Sequence, residues 1–153
     1  MSNFLSCVLD TSVSTKQFIH DNFTPKVNQL LDHLSFPETK IFVPDLFYIE
    51  STNVLWKYVK AGLYSINEVS RDLANLKQLP LQIVSTTELM ESAFLIAANY
   101  QISAYDASYI ALSEKVNAPL LTLDIKLVNR LINTSYNVQN FTNFLVPDLP
   151  NKN

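Results

Sequence analysis

The stretch that decides the fold is Phe4-Leu5-Ser6-Cys7-Val8-Leu9-Asp10. A short, continuous apolar run of this kind is typical of a strand that is buried on both faces, as strands are in parallel sheets. Similar runs recur further along the chain, and we predict strands at residues 40–43, 81–84, 119–123 and 136–138. Strands buried on both faces need a layer of helices on each side of the sheet.

The segments between these strands have the apolar spacing of helices. The clearest is residues 45–60, in which apolar positions follow one another by threes and fours. Ser65 and Glu68 have the spacing of a capping box, which predicts a helix that opens there and continues to about residue 78. Further helices are predicted at residues 20–34 with an interruption at Pro25, and at 87–100, 105–116 and 125–132. The alternation predicts a three-layer α/β fold with a mainly parallel sheet of four or five strands and right-handed crossovers.

The composition indicates one domain with an ordinary core. The chain has 153 residues, of which 48% are hydrophobic and 16% charged. We predict one domain over residues 1–148 and a polar tail at residues 149–153. Cys7 lies within the first apolar run and is interpreted as a buried side chain, not a reactive thiol. No signal peptide and no membrane span are recognised, which predicts a cytoplasmic protein.

Charge and glycine content exclude several classes of function. The formal net charge is -3 and the pI is about 5.2, which argues against a broad basic face that holds duplex nucleic acid. Contact with nucleic acid through metal ions and a few basic side chains is still compatible with this charge. Gly62 is the one glycine, so the glycine-rich loops of nucleotide-binding folds are excluded.

Four acidic residues, which we term the acidic quartet, occupy positions that the predicted fold would bring together. Asp10 follows the first predicted strand and Asp124 the fourth, and ligands bind beyond the carboxyl ends of parallel strands. Glu50 lies among apolar neighbours on a helix, where a carboxylate is costly unless something compensates its charge. Asp106 opens the helix predicted at residues 105–116.

Each member of the quartet also has an ordinary explanation. Asp10 and Asp124 precede predicted helices, and aspartate is a favoured N-cap residue. Ser103 and Asp106 have the spacing of a capping box, and Glu50 is compatible with a solvated helix position. The joint pattern is harder to explain in this way, because all four residues lie where the predicted fold converges.

Four segments of the chain resemble the sequence motifs of PIN-domain nucleases. Residues 8–12 resemble the opening strand, residues 44–50 and 53–55 the second motif, residues 105–112 the third and residues 121–124 the fourth. The third is the most specific local match. The order and spacing hold over residues 4–140, and the size and motif style are similar to VapC-type toxins of bacterial toxin–antitoxin pairs.

The resemblance implies an endoribonuclease that depends on Mg²⁺ or Mn²⁺, is often dimeric, and is inhibited by an antitoxin. Carried over by position, the metal-binding and catalytic residues would be Asp10, Glu50, Asp106 and Asp124, and the auxiliary hydroxyls Thr11, Ser12 and Thr122. Some members have further acids after the fourth motif, where this chain has Lys126 and Arg130. One metal site is therefore implied, and a second is left open.

Other readings of the acids fit the sequence less well. A phosphatase with an aspartyl nucleophile would have a second acid two places after Asp10, where Ser12 stands. A phosphoacceptor signalling domain would concentrate its acids at earlier strands. The remaining alternative is a PIN-like scaffold that binds a partner without catalysis.

Outside the quartet the sequence suggests surface roles only. Basic residues that would form an RNA-contacting rim are Lys16, Lys57, Lys60, Lys126 and Arg130. Trp56 and Tyr58 are candidates for a dimer or antitoxin interface. The two histidines, His20 and His33, lack the spacing of a metal pair and receive no role.

Overall fold

The computed structural model describes residues 4–151 and contains five strands and seven helices within them. In chain order these are β1 (Ser6–Leu9), α1 (Thr11–Ser14), α2 (Thr24–Asp32), β2 (Lys40–Pro44), α3 (Leu46–Lys60), α4 (Ile66–Gln78), β3 (Gln82–Val84), α5 (Met90–Tyr100), α6 (Ala104–Val116), β4 (Leu120–Thr122), α7 (Ile125–Leu131) and β5 (Val138–Asn140). Short 3₁₀ turns occur at Thr15–Gln17, His33–Ser35 and Thr86–Glu88.

The strands form one parallel sheet in the order β3-β2-β1-β4-β5. β1 is the central strand, and its Val8 pairs with Phe42 of β2 on one side and Leu120 of β4 on the other. The predicted α/β fold is confirmed. Because β1 and β4 are neighbours and parallel, the residues that follow them emerge at the same edge of the sheet.

The core is built around β1 and α6. Residues 7–9 and 107–113 are all buried, which explains why both segments lack a polar face. Cys7 is completely buried, and burial raises the pKa of its thiol to about 12. A thiol in this state is protonated and inert, so the prediction of a structural cysteine is confirmed.

Most predicted elements differ from the structure by one or two residues at their ends, and three of the differences are described here. Pro25 does not interrupt a helix but lies in the first turn of α2, where its missing N–H needs no partner. The helix predicted at residues 87–100 is a 3₁₀ turn followed by α5. The fifth strand is Val138–Asn140 in place of residues 136–138, because its register is fixed by pairing with β4.

The capping box at the start of α4 is present as predicted. The Ser65 hydroxyl accepts a hydrogen bond from the Glu68 backbone N–H at 3.1 Å, and the Glu68 carboxylate accepts one from the Ser65 N–H at 3.0 Å. We expect Ser65→Ala to lower the free energy of unfolding by about 1 kcal/mol, because the Glu68 N–H loses its acceptor. Urea unfolding measures the change. Ser70→Ala, a change within the same helix, should leave stability equal or slightly higher, and an equal loss in both variants would contradict the capping explanation.

The C-terminal segment after β5 is held against α2. Lys26 donates hydrogen bonds to the backbone carbonyls of Phe141 and Thr142, and the imidazole of buried His33 lies 2.8 Å from the Pro147 carbonyl oxygen. His33, to which the sequence assigned no metal-binding role, is thus a packing residue at this contact. Residues 152 and 153 of the predicted tail, and residues 1–3, lie outside the described residues. No helix within residues 4–151 has the length and apolarity to cross a bilayer.

Candidate active site

Asp10 lies directly after β1 and is surrounded by hydroxyl groups. Its Oδ2 accepts hydrogen bonds from the Ser12 hydroxyl at 2.8 Å and the Thr122 hydroxyl at 2.7 Å, and its Oδ1 from the Thr11 hydroxyl at 3.4 Å. Asp10 has the backbone position of an N-cap to α1, yet its side chain makes no capping bond. The N-cap explanation therefore does not account for this carboxylate, and the three predicted auxiliary hydroxyls all contact it.

Two of these hydroxyls are fixed by the backbone that follows β4. The Ser12 oxygen accepts a hydrogen bond from the Leu123 N–H, and the Thr122 oxygen accepts one from the Asp124 N–H, both at 3.0 Å. A hydroxyl that accepts from a backbone N–H has its own proton free to donate, here to Asp10. The ends of β1 and β4 are thereby joined through the Asp10 carboxylate.

Asp124 follows β4 and is the N-cap of α7. Its carboxylate accepts a hydrogen bond from the Leu127 N–H at 3.2 Å. Asp124 therefore caps a helix with its side chain, as its position before a predicted helix suggested, whereas Asp10 does not. Capping does not remove Asp124 from the site, since its charge contributes to the electrostatics of Asp106 described below.

Glu50 lies half-buried on α3, and its Oε1 accepts a hydrogen bond from the Tyr109 hydroxyl at 2.8 Å. The pKa of Glu50 is raised above its usual value of 4.5, first because burial removes water from the carboxylate and further because of the negative charges of Asp10 and Asp106. The Tyr109 hydrogen bond acts in the opposite direction. Glu50 is therefore close enough to both acids to be repelled by them.

Asp106 lies in the first turn of α6, where its backbone N–H donates to the Ser103 hydroxyl at 3.0 Å. Burial is the main cause of its raised pKa, and the charges of Asp10 and Asp124 add to it. The charge of Asp10 thus acts on both Glu50 and Asp106, and the charge of Asp124 acts on Asp106. The structure brings the whole quartet to one edge of the sheet, although the four residues are distant in sequence.

The chemistry of this donor set suits a divalent cation. The one ion pair formed within residues 4–151 joins Lys16 to Asp21 at 2.6 Å, so basic side chains neutralise none of the quartet. Hard cations such as Mg²⁺ and Mn²⁺ prefer carboxylate oxygens. In the described chain, however, no three acidic, histidine or cysteine side chains are gathered into a ready metal shell. The charges of these carboxylates nevertheless act on one another, and a divalent cation bound between them would relieve that repulsion.

Tyr109 is the residue of this site that the sequence analysis did not single out. Its side chain is buried and its hydroxyl reaches the quartet. The available signal was its position three residues after Asp106, which places both on neighbouring parts of one helix surface. Beside apolar neighbours such as Ile110 and Leu112 the ring is explained by packing alone, and only the structure shows its partner on α3.

Two grooves adjoin the quartet. One, of about 580 Å³, lies along α3 and includes Ile49, Glu50, Trp56 and Tyr105. The other, of about 420 Å³, includes Thr11, Ser12 and Lys16. Trp56 is half-exposed and its ring lies 5.4 Å from the Lys60 ammonium. A larger cleft of about 620 Å³ near Tyr64 is lined by neither a quartet residue nor an auxiliary hydroxyl, and it is separate from this site.

Comparison with known proteins agrees with this fold. The model of the PIN domain family matches residues 7–130. Ribonuclease VapC3 of Pyrobaculum aerophilum is 38% identical over 88 residues, which are 56% of this chain and 67% of that protein. The crystal structure of PAE2754 from Pyrobaculum aerophilum superimposes with a TM-score of 0.66 at 20% identity, covering 88% of this chain and 83% of that one. VapBC-1 from nontypeable Haemophilus influenzae gives a TM-score of 0.60 at 15% identity, covering 90% and 99%.

The fold and the site define a parallel α/β domain with a carboxylate site at the carboxyl edge of its sheet. The match to the family model covers most of the chain and all four members of the quartet. The chain belongs to the PIN-domain family.

Proposed function

We propose that this chain is a metal-dependent endoribonuclease that hydrolyses RNA phosphodiester bonds, and that it is the toxin of a toxin–antitoxin pair. The observation that carries the proposal is a set of four carboxylates near the ends of β1 and β4 whose charges act on one another and that form no ion pair within residues 4–151. Membership of the PIN family and the similarity to a protein named as a VapC ribonuclease support it. The proposed location of the reaction is the cytoplasm, where cellular RNA is present.

The residues proposed to hold Mg²⁺ or Mn²⁺ are Asp10, Glu50, Asp106 and Asp124. When bound, such an ion supplies positive charge to the scissile phosphate and lowers the pKa of the attacking water. Asp10 is suited to direct contact, because its hydroxyl partners fix the direction of its oxygens. Glu50 is suited to bind the ion or to orient the attacking water, since it lies on α3 and approaches the other three acids from a different side.

The auxiliary hydroxyls of Thr11, Ser12 and Thr122 are proposed to act through Asp10. Each donates to its carboxylate, and hydrogen bonds from neighbours that orient a ligand are a common requirement of metal sites. They hold the Asp10 side chain and are not proposed to contact the reacting atoms.

Incubation of the purified protein with a mixed-sequence RNA tests the proposal. Cleavage is expected with Mn²⁺ or Mg²⁺ and should stop with EDTA, and Asp10→Asn purified in parallel should be inactive, which controls for contaminating ribonuclease. Cleavage that survives both EDTA and the substitution would belong to a contaminant. Absence of cleavage by the metal-loaded wild-type protein on varied RNAs would favour the non-catalytic scaffold.

The two roles of Asp124 are separable by substitution. We expect Asp124→Asn to lose activity while keeping α7 capped, because asparagine is as good an N-cap as aspartate. Asp124→Ala should lose both activity and about 1 kcal/mol of unfolding free energy. Activity assays and urea unfolding of the two variants provide the measurement. Full activity in Asp124→Asn would remove Asp124 from the proposed site.

An antitoxin and a second copy of the chain are the proposed protein partners. A toxin–antitoxin complex from Klebsiella pneumoniae contains a chain with the same fold, and this supports the first of them. The exposed side chains of Ile49, Trp56 and Tyr105 offer apolar area beside the quartet, as an interface requires.

A further inference from the structure

Tyr109 combines a buried ring with a hydroxyl that reaches a charged group. Its side chain is 2% exposed and belongs to the core cluster together with Ile110 and Leu112 of the same helix. The ring is therefore held by packing on all sides, and the position of its hydroxyl is set by α6. That hydroxyl donates to Glu50 at 2.8 Å, across the space between α6 and α3.

Glu50 needs such a partner because its own helix does little to orient it. Its neighbours Ile49 and Asn53 are exposed, and a glutamate side chain has several rotamers available on a helix. Asp10 and Asp106 repel it, which would turn the carboxylate away from the quartet. The Tyr109 hydroxyl is a neutral donor, so it attracts Glu50 without the competing charge that a lysine or arginine would bring to a cation site.

We propose that Tyr109 is a positioning residue that holds the Glu50 carboxylate toward the other three acids and so prepares the site for its metal. The inference rests on the proposed function for its consequence in catalysis. Its geometric part concerns only these two side chains and a divalent cation. Tyr109 is not proposed to contact the RNA or the reacting atoms.

The test is Tyr109→Phe, which keeps the buried ring and removes only the hydroxyl. We expect the affinity for Mn²⁺, measured by calorimetric titration, to fall about 10-fold, as is typical when a group that orients a metal ligand is removed. The kcat for RNA cleavage should fall by a similar factor with KM unchanged. Circular dichroism and a thermal melt establish that the variant is folded before either measurement.

Tyr64→Phe is a matched control. The Tyr64 hydroxyl also donates to a carboxylate, that of Asp72, but this pair lines the separate cleft between α3 and α4. The control should keep the Mn²⁺ affinity and the kcat of the wild-type protein. An equal decrease in the two variants would show a general effect of losing such a bond and would overturn the inference.

The Glu50→Gln background decides whether Tyr109 acts through Glu50. If it does, adding Tyr109→Phe to Glu50→Gln should change the Mn²⁺ affinity far less than it does in the wild-type protein. A full additional decrease, or no decrease from Tyr109→Phe alone, would overturn the inference. Mn²⁺ affinity is measured without RNA, so a wild-type protein that binds Mn²⁺ but cleaves no RNA would refute the proposed function and still allow this test.

Discussion

Asp10→Asn is expected to reduce metal-dependent RNA cleavage by about 1,000-fold, because about 4 kcal/mol of transition-state stabilisation is lost with one metal-binding charge. Asp10 lies at the centre of the quartet: its charge raises the pKa values of both Glu50 and Asp106. Its two oxygens accept hydrogen bonds from three hydroxyls. Asparagine keeps the shape and one acceptor oxygen but removes the charge.

The same substitution should not destabilise the metal-free protein. Removing one of several repelling charges relieves Glu50 and Asp106, and an asparagine with its oxygen toward Ser12 and Thr122 keeps the two shorter hydroxyl contacts. The thermal midpoint without metal is therefore expected to be equal to or higher than that of the wild-type protein. A loss of activity together with a gain in stability would identify Asp10 as a functional residue that the fold does not need.

Initial rates of RNA cleavage at saturating Mn²⁺, together with thermal melts in EDTA, measure both effects. Asp45→Asn is the matched control, because Asp45 follows the neighbouring strand β2, is exposed, and makes no capping bond. It should retain wild-type activity. Activity within about threefold of the wild-type level in Asp10→Asn would remove Asp10 from the mechanism, and a large loss in Asp45→Asn would show that any acid at this edge has the same effect.

The fold was predictable because its signals are local and agree with one another. The apolar runs that became β1, β2 and β4 are continuous, and the capping box at Ser65 marks the start of α4. The shift of β5 was not predictable from its own residues, since Val138–Asn140 is specified by hydrogen bonds to β4 and not by an apolar pattern. Pro25 was misinterpreted because a proline in the first turn of a helix and one that interrupts a helix look the same in sequence.

The positions of the acidic residues in the candidate site were predictable from the sequence, but the hydrogen bonds that they make were not. Asp10 and Asp124 follow strands, and topology alone brings such positions together. Sequence spacing gave the two the same N-cap explanation, whereas the structure shows capping by Asp124 and hydroxyl contacts at Asp10. The bond from Tyr109 to Glu50 joins residues 59 positions apart on two helices, and their relative placement follows from packing that no local pattern encodes.

Mn²⁺ is expected to stabilise the wild-type protein by about 2.7 kcal/mol at a concentration 100 times its Kd, because it binds the folded state alone. For a domain of this size, that corresponds to a rise of roughly 5–10 °C in the thermal midpoint. The physical origin is the same repulsion that raises the pKa values of Glu50 and Asp106, which a divalent cation removes.

The stabilisation of the folded protein by Mn²⁺ is expected to decrease as the pH falls. Because the pKa values of Glu50 and Asp106 are raised in the folded protein, the folded state binds more protons than the unfolded state between their ordinary and raised values. In that window the contribution of these two groups to metal-free stability increases as the pH falls. Protons and Mn²⁺ compete for the same oxygens, so the stabilisation by Mn²⁺ should be large above the raised pKa values and decrease toward the ordinary values of 4.5 and 3.8.

Thermal melts with Mn²⁺ and with EDTA at about pH 7.5 and about pH 4.5, the ordinary value of Glu50, measure this difference. Taking the difference between the two conditions at each pH cancels the titration of all groups that do not interact with the metal. Glu50→Gln should show a smaller effect of Mn²⁺ at the higher pH, and NaCl at matched ionic strength should not reproduce it, because simple screening acts on every surface charge. An equal Mn²⁺ effect at both pH values, or an undiminished one in Glu50→Gln, would mean that the ion binds elsewhere and that the quartet is not its site.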